Sequence, residues 1–314
     1  MTVIRDPIRG QPSQSPGTSK SGETPSSGTT HAPAEKPRAG LYIVATPIGN
    51  LGDITRRAVA LLAQVDIIAA EDTRVARRLC SALALPAPRL VRYDDHADDS
   101  DRDRLIQAVK DGRSVALISD AGMPLVADPG LKLVQAAQQA GVAVTALPGP
   151  SAALTALALS GLPSDRFLFS GFLPVKDGPR RRALADLAAV PATLIFFETG
   201  PRLAASLKAM AETLGERDAA VARELTKLFE EVRRGTLATL AAAYAEAETP
   251  KGEIVVVVGP PGAQAPSAAE DIDARLAEAL QTMSLRDAVA AVAATTGRKR
   301  RDVYARALAL GSKA

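Results

Sequence analysis

The amino-acid sequence predicts an α/β fold with two successive α/β domains and a small C-terminal helical module. Two observations carry this prediction. From Leu41 onward, short apolar runs alternate with longer helix-like stretches, a pattern typical of β-α-β units around a parallel sheet. After a proline-containing linker over residues 260–269, the remaining pattern is helical only.

Two sets of alternating elements are predicted, with a boundary near Ala152–Pro163. The first set has strands at Leu41–Ala45, Val65–Ala70, Val115–Ser119 and Val142–Leu147, and helices at Thr55–Leu62, Arg74–Leu83, Asp101–Lys110 and Leu131–Ala140. The second set has strands at Phe167–Gly171, Thr193–Glu198, Ala219–Glu224 and Glu253–Gly259, and helices at Arg180–Ala189, Arg202–Leu214 and Thr239–Ala247.

The two ends of the chain differ from this pattern. The N-terminal residues are rich in Ser, Thr, Pro and Gly and poor in large apolar side chains, so they cannot bury enough surface to offset the entropy of ordering. We therefore expect four parts: a disordered tail (1–39), an N-terminal α/β domain (40–152), a C-terminal α/β domain (153–262), and a linker with a basic helical module (263–314).

The last part is expected to hold two short helices. Ser284 to Asp287 has capping-box spacing, and Leu285, Ala288, Val289 and Val292 then fall on one helix face. After Thr296-Gly297, a second helix is predicted from Arg298 to Leu310. Two helices around a glycine-containing turn are typical of a helix-turn-helix. A helical cap or a dimer element is the alternative interpretation.

The composition indicates the cellular compartment in which we expect the chain to work. The single cysteine, Cys80, cannot form an internal disulfide, which fits a reducing compartment. No apolar run reaches the roughly 20 residues that a membrane span needs, and the N-terminus lacks the pattern of a secretory signal. We expect a cytoplasmic protein without a membrane partner.

Charge is unevenly distributed, although the net charge is only +3. Basic residues cluster at Arg180-Arg181-Arg182 and at Arg298-Lys299-Arg300-Arg301. Each cluster alone is explained by a solvated protein face. A phosphate-binding surface is the alternative, and it gains weight if other features indicate a nucleic-acid substrate.

Common catalytic motifs are missing from the sequence. It has no G-x-G-x-x-G, no G-x-x-x-x-G-K-[ST] and no Cys/His set with metal-ligand spacing, so we expect no metal site. Only two histidines occur, and His31 lies in the tail. Hydrolase and kinase functions are therefore poorly supported.

Three loops follow predicted strands of the first domain, where open α/β sheets bind ligands. They are Thr46–Asp53, Ser119–Gly130 and Pro148–Ala152. Their small residues and prolines form rigid turns that bring the backbone close to a ligand. Each loop alone could be a structural turn, but three at one edge of one sheet indicate a binding site.

The residues of these loops resemble a known family. The run from Leu41 to Thr55 (LYIVATPIGNLGDIT) is similar to the opening of the ribosomal small-subunit methyltransferase I family, which belongs to the tetrapyrrole methylases. Further motifs match in the same order: Ala70–Arg74, Ser119–Gly130, Pro148–Ala152, Gly161–Phe167, Gly171–Lys176, Phe196–Glu198, Ala222–Lys227 and Lys251–Glu253. The resemblance extends from about Leu41 to the C-terminus.

The resemblance implies a two-domain tetrapyrrole-methylase fold, with S-adenosylmethionine in a cleft between the domains, and a homodimer. It also implies 2′-O-methylation of a cytidine ribose in 16S rRNA, so that the small ribosomal subunit is the partner. The residues it implies for donor binding are Thr46, Pro47, Gly49, Asp120, Ala121, Gly122, Met123, Pro124, Val126, Ser151, Ala152, Leu225 and Gly252.

No residue is assigned as the catalytic base. A ribose hydroxyl is weakly acidic, so a base or a cation near it would help the transfer. The candidates in matched motifs are Glu71, Asp72, Lys176 and Glu198. Alternatively, the run Glu71–Arg74 caps a helix, and Glu198 pairs with Arg202 one turn later.

RNA contacts are expected at basic residues and at one loop. The residues are Arg74, His96, Arg180, Arg181, Arg298, Lys299, Arg300 and Arg301. The sequence departs from the family at one place, where a His-x-His-Asn-Glu cluster is replaced by Asp94-Asp95-His96-Ala97-Asp98. A substrate role there would rest on His96, which could equally be an exposed loop histidine.

Two other functions stay open. A small-molecule methyltransferase could use the same fold, because fold alone does not decide function. A non-enzymatic ribosome-assembly factor could retain an inactive pocket. Binding of S-adenosylmethionine separates the second alternative from an enzyme.

Overall fold

The computed structural model describes residues 36–86, 89–262 and 269–311. The predicted disordered tail lies outside the described residues up to residue 35, and so does most of the predicted linker. The α/β fold class is confirmed, with two sheets and a C-terminal helical module. The division of the chain into domains at residues 152 and 262 stays a prediction.

The first sheet is wholly parallel and has the strand order β3-β2-β4-β1-β5. Its strands are β1 (Gly40–Val44), β2 (Ile67–Ala70), β3 (Leu90–Arg92), β4 (Ser114–Ile118) and β5 (Val144–Leu147). In the centre, Tyr42 is in register with Ala116 on one side and Thr145 on the other. All four predicted strands are present, and β3 is an addition at the edge.

Helices cover both faces of this sheet. They are α1 (Arg56–Leu62), α2 (Thr73–Ala82), α3 (Asp99–Lys110) and α4 (Leu131–Gln139), and a short 3₁₀ helix spans Leu51–Asp53. Alternation along the strands sends Ile68 and Ala116 toward α1 and α2, and Leu41 and Leu117 toward α3 and α4. Since both faces are buried along the central strands β1, β2 and β4, these three strands are nearly continuous apolar runs.

The second sheet corrects the expectation of a parallel arrangement. Its strands are β6 (Phe167–Phe172), β7 (Thr193–Thr199), β8 (Asp218–Arg223), β9 (Glu231–Thr236) and β10 (Glu253–Val258), preceded by helix α5 (Ala152–Ser160). The order is β6-β7-β10-β8-β9, and only β6 and β7 are parallel. A short loop joins β8 to β9 as an antiparallel pair, and β10 inserts between β7 and β8.

Helices again lie on both faces of the second sheet. On one face pack α6 (Asp177–Leu187), α7 (Gly200–Leu214) and α8 (Leu237–Glu246). Helix α5 packs on the other, where Ala156 and Leu157 contact a cluster that includes Ile195 and Val255. Ile48 and Leu225 belong to the same cluster, so this face adjoins a loop of the first sheet.

The described part of the C-terminal module has three helices, α9 (Ala269–Ala279), α10 (Leu285–Thr296) and α11 (Arg300–Gly311). Helix α9 was not predicted, and α11 begins two residues later than expected. Ser284 caps α10 by accepting a hydrogen bond from the Asp287 amide, and Gly297 ends it with a positive φ of 68°. Leu276, Val292 and Val303 form the core of the module. Among the described helices, none has the length and apolar character to cross a membrane.

Candidate functional site

The three predicted loops meet at the carboxyl edge of the first sheet. Thr46, two residues after the end of β1, forms an isolated two-residue bridge with Gly122, which follows β4. Its amide donates to the Gly122 carbonyl at 2.8 Å, and the Gly122 amide donates back at 3.1 Å. The Thr46 hydroxyl, fully buried, donates to the Ser119 carbonyl at 3.2 Å. Since the connections after β1 and β4 leave in opposite directions, this is the topological switch point of the sheet.

A cavity of about 330 Å³ opens beside this bridge. One wall comes from the loops of the first sheet, and the other from β6, β7, β10 and the loop after β8. The lining residues are Ile48, Glu71, Asp120, Ala121, Gly122, Met123, Val126, Ala127, Asp128, Ser151, Ala152, Phe172, Phe197, Glu198, Thr199, Leu225, Gly252, Glu253, Ile254 and Val255. Its size and mixed lining are those of a small-molecule site.

Nine of the thirteen residues expected to bind the donor line this cavity: Asp120, Ala121, Gly122, Met123, Val126, Ser151, Ala152, Leu225 and Gly252. The other four, Thr46, Pro47, Gly49 and Pro124, are not among its lining residues. Thr46 instead fastens two loops together through its backbone and hydroxyl. Gly49 faces the second sheet's loop, where it contacts Lys227.

Sequence reasoning missed several lining residues. Ile254 and Val255 are apolar strand residues and carried no signal that distinguishes them from core. Phe172 and Phe197 lie in matched motifs, but their residue type alone does not separate them from core. Asp128 carried a usable signal, because it is a carboxylate inside a glycine- and proline-rich loop.

Three carboxyl groups line one part of the cavity. Burial, followed by repulsion from Asp120 and Asp128, raises the pKa of Glu71. Burial also raises the pKa of Asp128, to about 6. Asp120 has a raised pKa for the same reason, although its Oδ1 accepts a hydrogen bond from the Asp72 amide at 3.2 Å. Such a cluster can bind a cationic ligand, and one of its carboxylates can accept a proton from a substrate.

The Asp72 side chain caps the N-terminus of helix α2. Its Oδ1 accepts from the Arg74 amide at 2.7 Å, and its carboxylate forms a two-pronged pair with the Arg74 guanidinium. Hydrogen bonds from Arg74 therefore hold the pKa of Asp72 well below its usual range. Arg74 is itself exposed, and its charge is partly matched by Asp72.

Glu198 forms the centre of a buried polar network. Arg202 Nε lies 3.1 Å from its Oε1, as the alternative interpretation anticipated, and the Thr199 amide donates to the same oxygen at 2.9 Å. Ser206 donates to Oε2. Arg202 also donates to the Leu173 carbonyl. The network thus ties a cavity wall to the loop after β6.

Arg180 extends this network and is buried, which corrects its expected place on an RNA-binding surface. Its Nη2 donates to the Val175 carbonyl at 2.9 Å, and its Nη1 donates to Ser206 at 3.4 Å. The two arginines therefore hold the short loop that ends in Lys176. Lys176 is exposed and precedes α6, four residues beyond the cavity-lining Phe172.

The other residues expected at the RNA surface are less enclosed. Arg181 is paired with Asp177 at 2.8 Å and Glu212 at 2.6 Å. His96 is exposed in a loop, where its amide donates to Asp94. Arg298 is half-buried before α11, whereas Lys299, Arg300 and Arg301 are exposed.

The loop between β8 and β9 closes the cavity from the second sheet. Glu224 and Thr226 both have positive φ angles, 51° and 65°, and they flank the buried, cavity-lining Leu225. Such angles are strained for these residue types. The conformation is held by Lys227, whose Nζ bonds Glu224 at 2.8 Å and Glu253 at 3.1 Å. Within the described ranges, no group of His, Cys, Asp and Glu has the geometry of a metal site.

The sequence is similar to known proteins along most of its length. A family model described as Tetrapyrrole (Corrin/Porphyrin) Methylases matches residues 40–241, and one described as RsmI C-terminal HTH domain matches residues 266–311. Ribosomal RNA small subunit methyltransferase I of Mesorhizobium japonicum is 54% identical over 284 residues, which are 90% of this chain and 96% of that protein. The protein of the same name from Escherichia coli O157:H7 is 43% identical over 88% of this chain and 98% of its own length.

A solved structure shares the fold at low sequence identity. Diphthine synthase superposes with a TM-score of 0.55 at 18% identity, over 70% of this chain and 89% of that one. At this identity the likeness concerns the fold alone.

Proposed function

We propose that this chain, which belongs to the tetrapyrrole methylases and, within them, to the ribosomal RNA small subunit methyltransferase I family, transfers a methyl group from S-adenosylmethionine to 16S rRNA. The acceptor we propose is the ribose 2′-oxygen of a cytidine. The observation that carries the proposal is the cavity at the topological switch point, combined with close relatives that match nearly the whole chain. We also propose that it acts in the cytoplasm, where a single buried Cys80 stays reduced.

The residues of the cavity fit S-adenosylmethionine. Ile48, Val126, Leu225 and Val255 offer apolar walls for an adenine ring. The carboxyl groups of Asp120 and Asp128 are complementary to the positive charges of the donor. Gly122, with φ of 78°, lets the backbone of the second loop line the cavity directly. We assign these residues to donor binding.

The donor, when bound, supplies a methyl group already activated by its sulfonium. The chain has to hold the ribose oxygen in line with that group, and such orientation lowers barriers by roughly 7–11 kcal/mol. It also has to remove a proton from a weakly acidic hydroxyl. The 2′-hydroxyl distinguishes RNA from DNA, so this requirement fits an RNA substrate.

Glu71 is the proton acceptor that we propose. Glu198 and Asp72 are engaged by Arg202 and Arg74, whereas Glu71 lines the cavity and forms no ion pair among the described residues. Its raised pKa makes it a stronger base than an ordinary glutamate. Lys176 is the cation that we assign to the RNA side, because Arg180 and Arg202 fix the loop that ends in this residue.

Assembly as a homodimer is part of the proposal. The loop between β8 and β9 exposes two large apolar side chains, Leu228 at 89% and Phe229 at 68%. Neighbouring apolar side chains at this exposure suit contact with a second copy. Light scattering on the purified chain measures the mass of the assembly. A monomer at micromolar concentration would contradict the homodimer but not the proposed reaction.

Transfer of labelled methyl groups tests the proposed reaction. Unmethylated small subunits and free 16S rRNA are each incubated with the chain and methyl-labelled S-adenosylmethionine, followed by alkaline hydrolysis. A 2′-O-methylated ribose leaves one alkali-resistant dinucleotide that contains labelled cytidine. Label on a base would contradict the proposal, and donor binding without any transfer to RNA would favour an assembly factor.

A further inference from the structure

A groove on the C-terminal module is lined by one aromatic ring and three arginines. It runs between the first turns of α10 and α11, and its lining residues are Ser284, Arg286, Asp287, Val289, Ala290, Arg300, Arg301 and Tyr304. Tyr304 is 46% exposed, although most large side chains of the module are buried in its core. The groove therefore presents an aromatic face beside guanidinium groups.

Two of these arginines are available for a ligand. Arg301 has a neighbour in Asp302 at 3.2 Å, but its side chain remains 85% exposed. Among the described residues, the side chains of Arg286 and Arg300 take part in no ion pair or hydrogen bond. The acidic residue of the groove, Asp287, is engaged by Ser284 at 2.7 Å as part of the helix cap. Since three arginines and one carboxylate line it, the groove carries net positive charge.

The combination of an exposed ring and free cations favours a particular ligand. Bases of single-stranded RNA stack on aromatic side chains, while arginines contact the flanking phosphates. Duplex RNA is a poor fit, because its deep and narrow major groove does not admit a helix of a helix-turn-helix. An acidic protein segment would use the arginines and leave Tyr304 without a role.

We propose that this groove binds a single-stranded RNA segment, with one base stacked on Tyr304 and adjacent phosphates on Arg286 and Arg300. The inference rests on the proposed function for its substrate class, since it assigns the module to an unpaired part of ribosomal RNA. Of the four basic residues expected to contact RNA here, Arg300 and Arg301 line the groove, whereas Arg298 and Lys299 precede α11 and do not.

The absence of tryptophan from the sequence allows a direct test. Tyr304→Trp introduces the only tryptophan, and stacking of a base on it quenches its fluorescence. The probe is an unstructured RNA oligonucleotide of about eight nucleotides, compared with a hairpin of matched length. Phe167→Trp is the control, because it places an exposed tryptophan at the start of β6, at the opposite end of that strand from the cavity-lining Phe172.

We expect the single strand to quench Tyr304→Trp more strongly than the hairpin does, and to leave Phe167→Trp unchanged. Tyr304→Leu should weaken binding of the single strand by roughly 5- to 100-fold. Arg286→Gln and Arg300→Gln should each reduce the slope of log affinity against log salt by about 0.7. Unchanged affinity in Tyr304→Leu, or equal quenching by a polyglutamate peptide, would overturn the proposal.

Donor binding separates this inference from the proposed function. Calorimetry with S-adenosylmethionine should give the same affinity for wild type, Tyr304→Leu and Arg300→Gln, because the groove is not part of the cavity. If the oligonucleotide stacks on residue 304 but small subunits accept no methyl group, the proposed function fails and the groove stands. If subunits are methylated normally by Tyr304→Leu and the oligonucleotide does not quench, only the groove proposal fails.

Discussion

Gly49 of the first sheet's loop and Lys227 of the second sheet's loop are in contact so close that a β-carbon on Gly49 would lie 2.5 Å from Lys227 Cγ. The same loops are joined by a hydrogen bond from the Asn50 amide to the Thr226 hydroxyl at 3.2 Å. These contacts lie at the C-terminal end of the strained segment Glu224–Thr226, which presents Leu225 to the cavity. Gly49 does not line the cavity. We infer that it affects donor binding indirectly, because its close approach to Lys227 sets the position of the segment that carries Leu225.

Gly49→Ala should displace the loop between β8 and β9. The clash with Lys227 should lower the free energy of unfolding by about 1–3 kcal/mol and weaken S-adenosylmethionine binding by roughly tenfold or more. Calorimetry and urea unfolding measure the two effects. Gly112→Ala is the matched control, since Gly112 also has a positive φ, 86°, but has no atom near its missing β-carbon. Equal donor affinities in the two variants would argue against a role for the Gly49 contact.

Glu71→Gln should separate chemistry from binding. If Glu71 accepts the proton, kcat should fall by roughly 10²- to 10⁴-fold, while the fold and the donor affinity are retained. Wild-type kcat should rise with pH as the raised pKa of Glu71 is passed, because only the carboxylate accepts a proton. Single-turnover rates across pH provide the measurement. A variant that keeps both its rate and its pH profile would remove Glu71 from the mechanism.

Glu198→Gln should act mainly on stability. The variant leaves the Arg202 guanidinium without its buried counter-charge, which costs about 3 kcal/mol or more in the free energy of unfolding. The loop that ends in Lys176 should loosen as a result, so KM for RNA should rise more than kcat falls. Hydrogen exchange at residues 173–176 reports the loosening. An unchanged unfolding curve would contradict the network as described.

Asp128 should make the folded state less stable as the pH rises. Its pKa in the folded chain is about 6, whereas an unfolded aspartate ionises near pH 4. The unfolded state thus loses its proton first, and the free energy of unfolding should fall by up to about 3 kcal/mol between these values. Asp128→Asn should abolish this loss and be more stable than wild type at pH 7.

Asp66 should have the opposite effect on the pH dependence of stability, because its ionised form is stabilised in the folded state. Hydrogen bonds from Ser114 and the nearby Lys36 lower its pKa to about 2. Its contribution to stability is present above pH 4 and is lost as the pH falls toward 2, so Asp66→Asn should destabilise the chain at pH 7. Urea unfolding of both variants at pH 4 and pH 7 measures the two trends. If the stability of the two variants, relative to wild type, changed with pH in the same direction, the opposite pKa shifts of Asp128 and Asp66 would be refuted.

The sequence predicted the central strands well, because they are buried on both faces and read as apolar runs. Two of the four edge strands, β3 and β9, escaped prediction. Strand β9 (Glu231–Thr236) lies at the edge of the second sheet. It contains two arginines and a glutamate, so it does not form an apolar run. Strand β3 has only three residues. Helix α5 is apolar on nearly every side, and its run was interpreted as a boundary between domains.

The site was predictable where its residues were unusual for loops. Glycine, proline and aspartate after β1, β4 and β5 marked one wall of the cavity. The opposite wall consists of strand residues such as Phe197 and Val255, which belong to a core cluster as well as to the cavity. The burial of Arg180 was also unpredictable, because a run of three arginines gives no sign of which one points inward.

Calorimetric titration with S-adenosylmethionine tests the central claim most directly, which is that the cavity between the loops of the two sheets holds the donor. Wild type should bind one equivalent per chain, and Ala121→Phe, which places a ring in the cavity, should bind none while unfolding at nearly the same urea concentration. Absence of binding to wild type, or equal binding to a folded Ala121→Phe variant, would contradict the account.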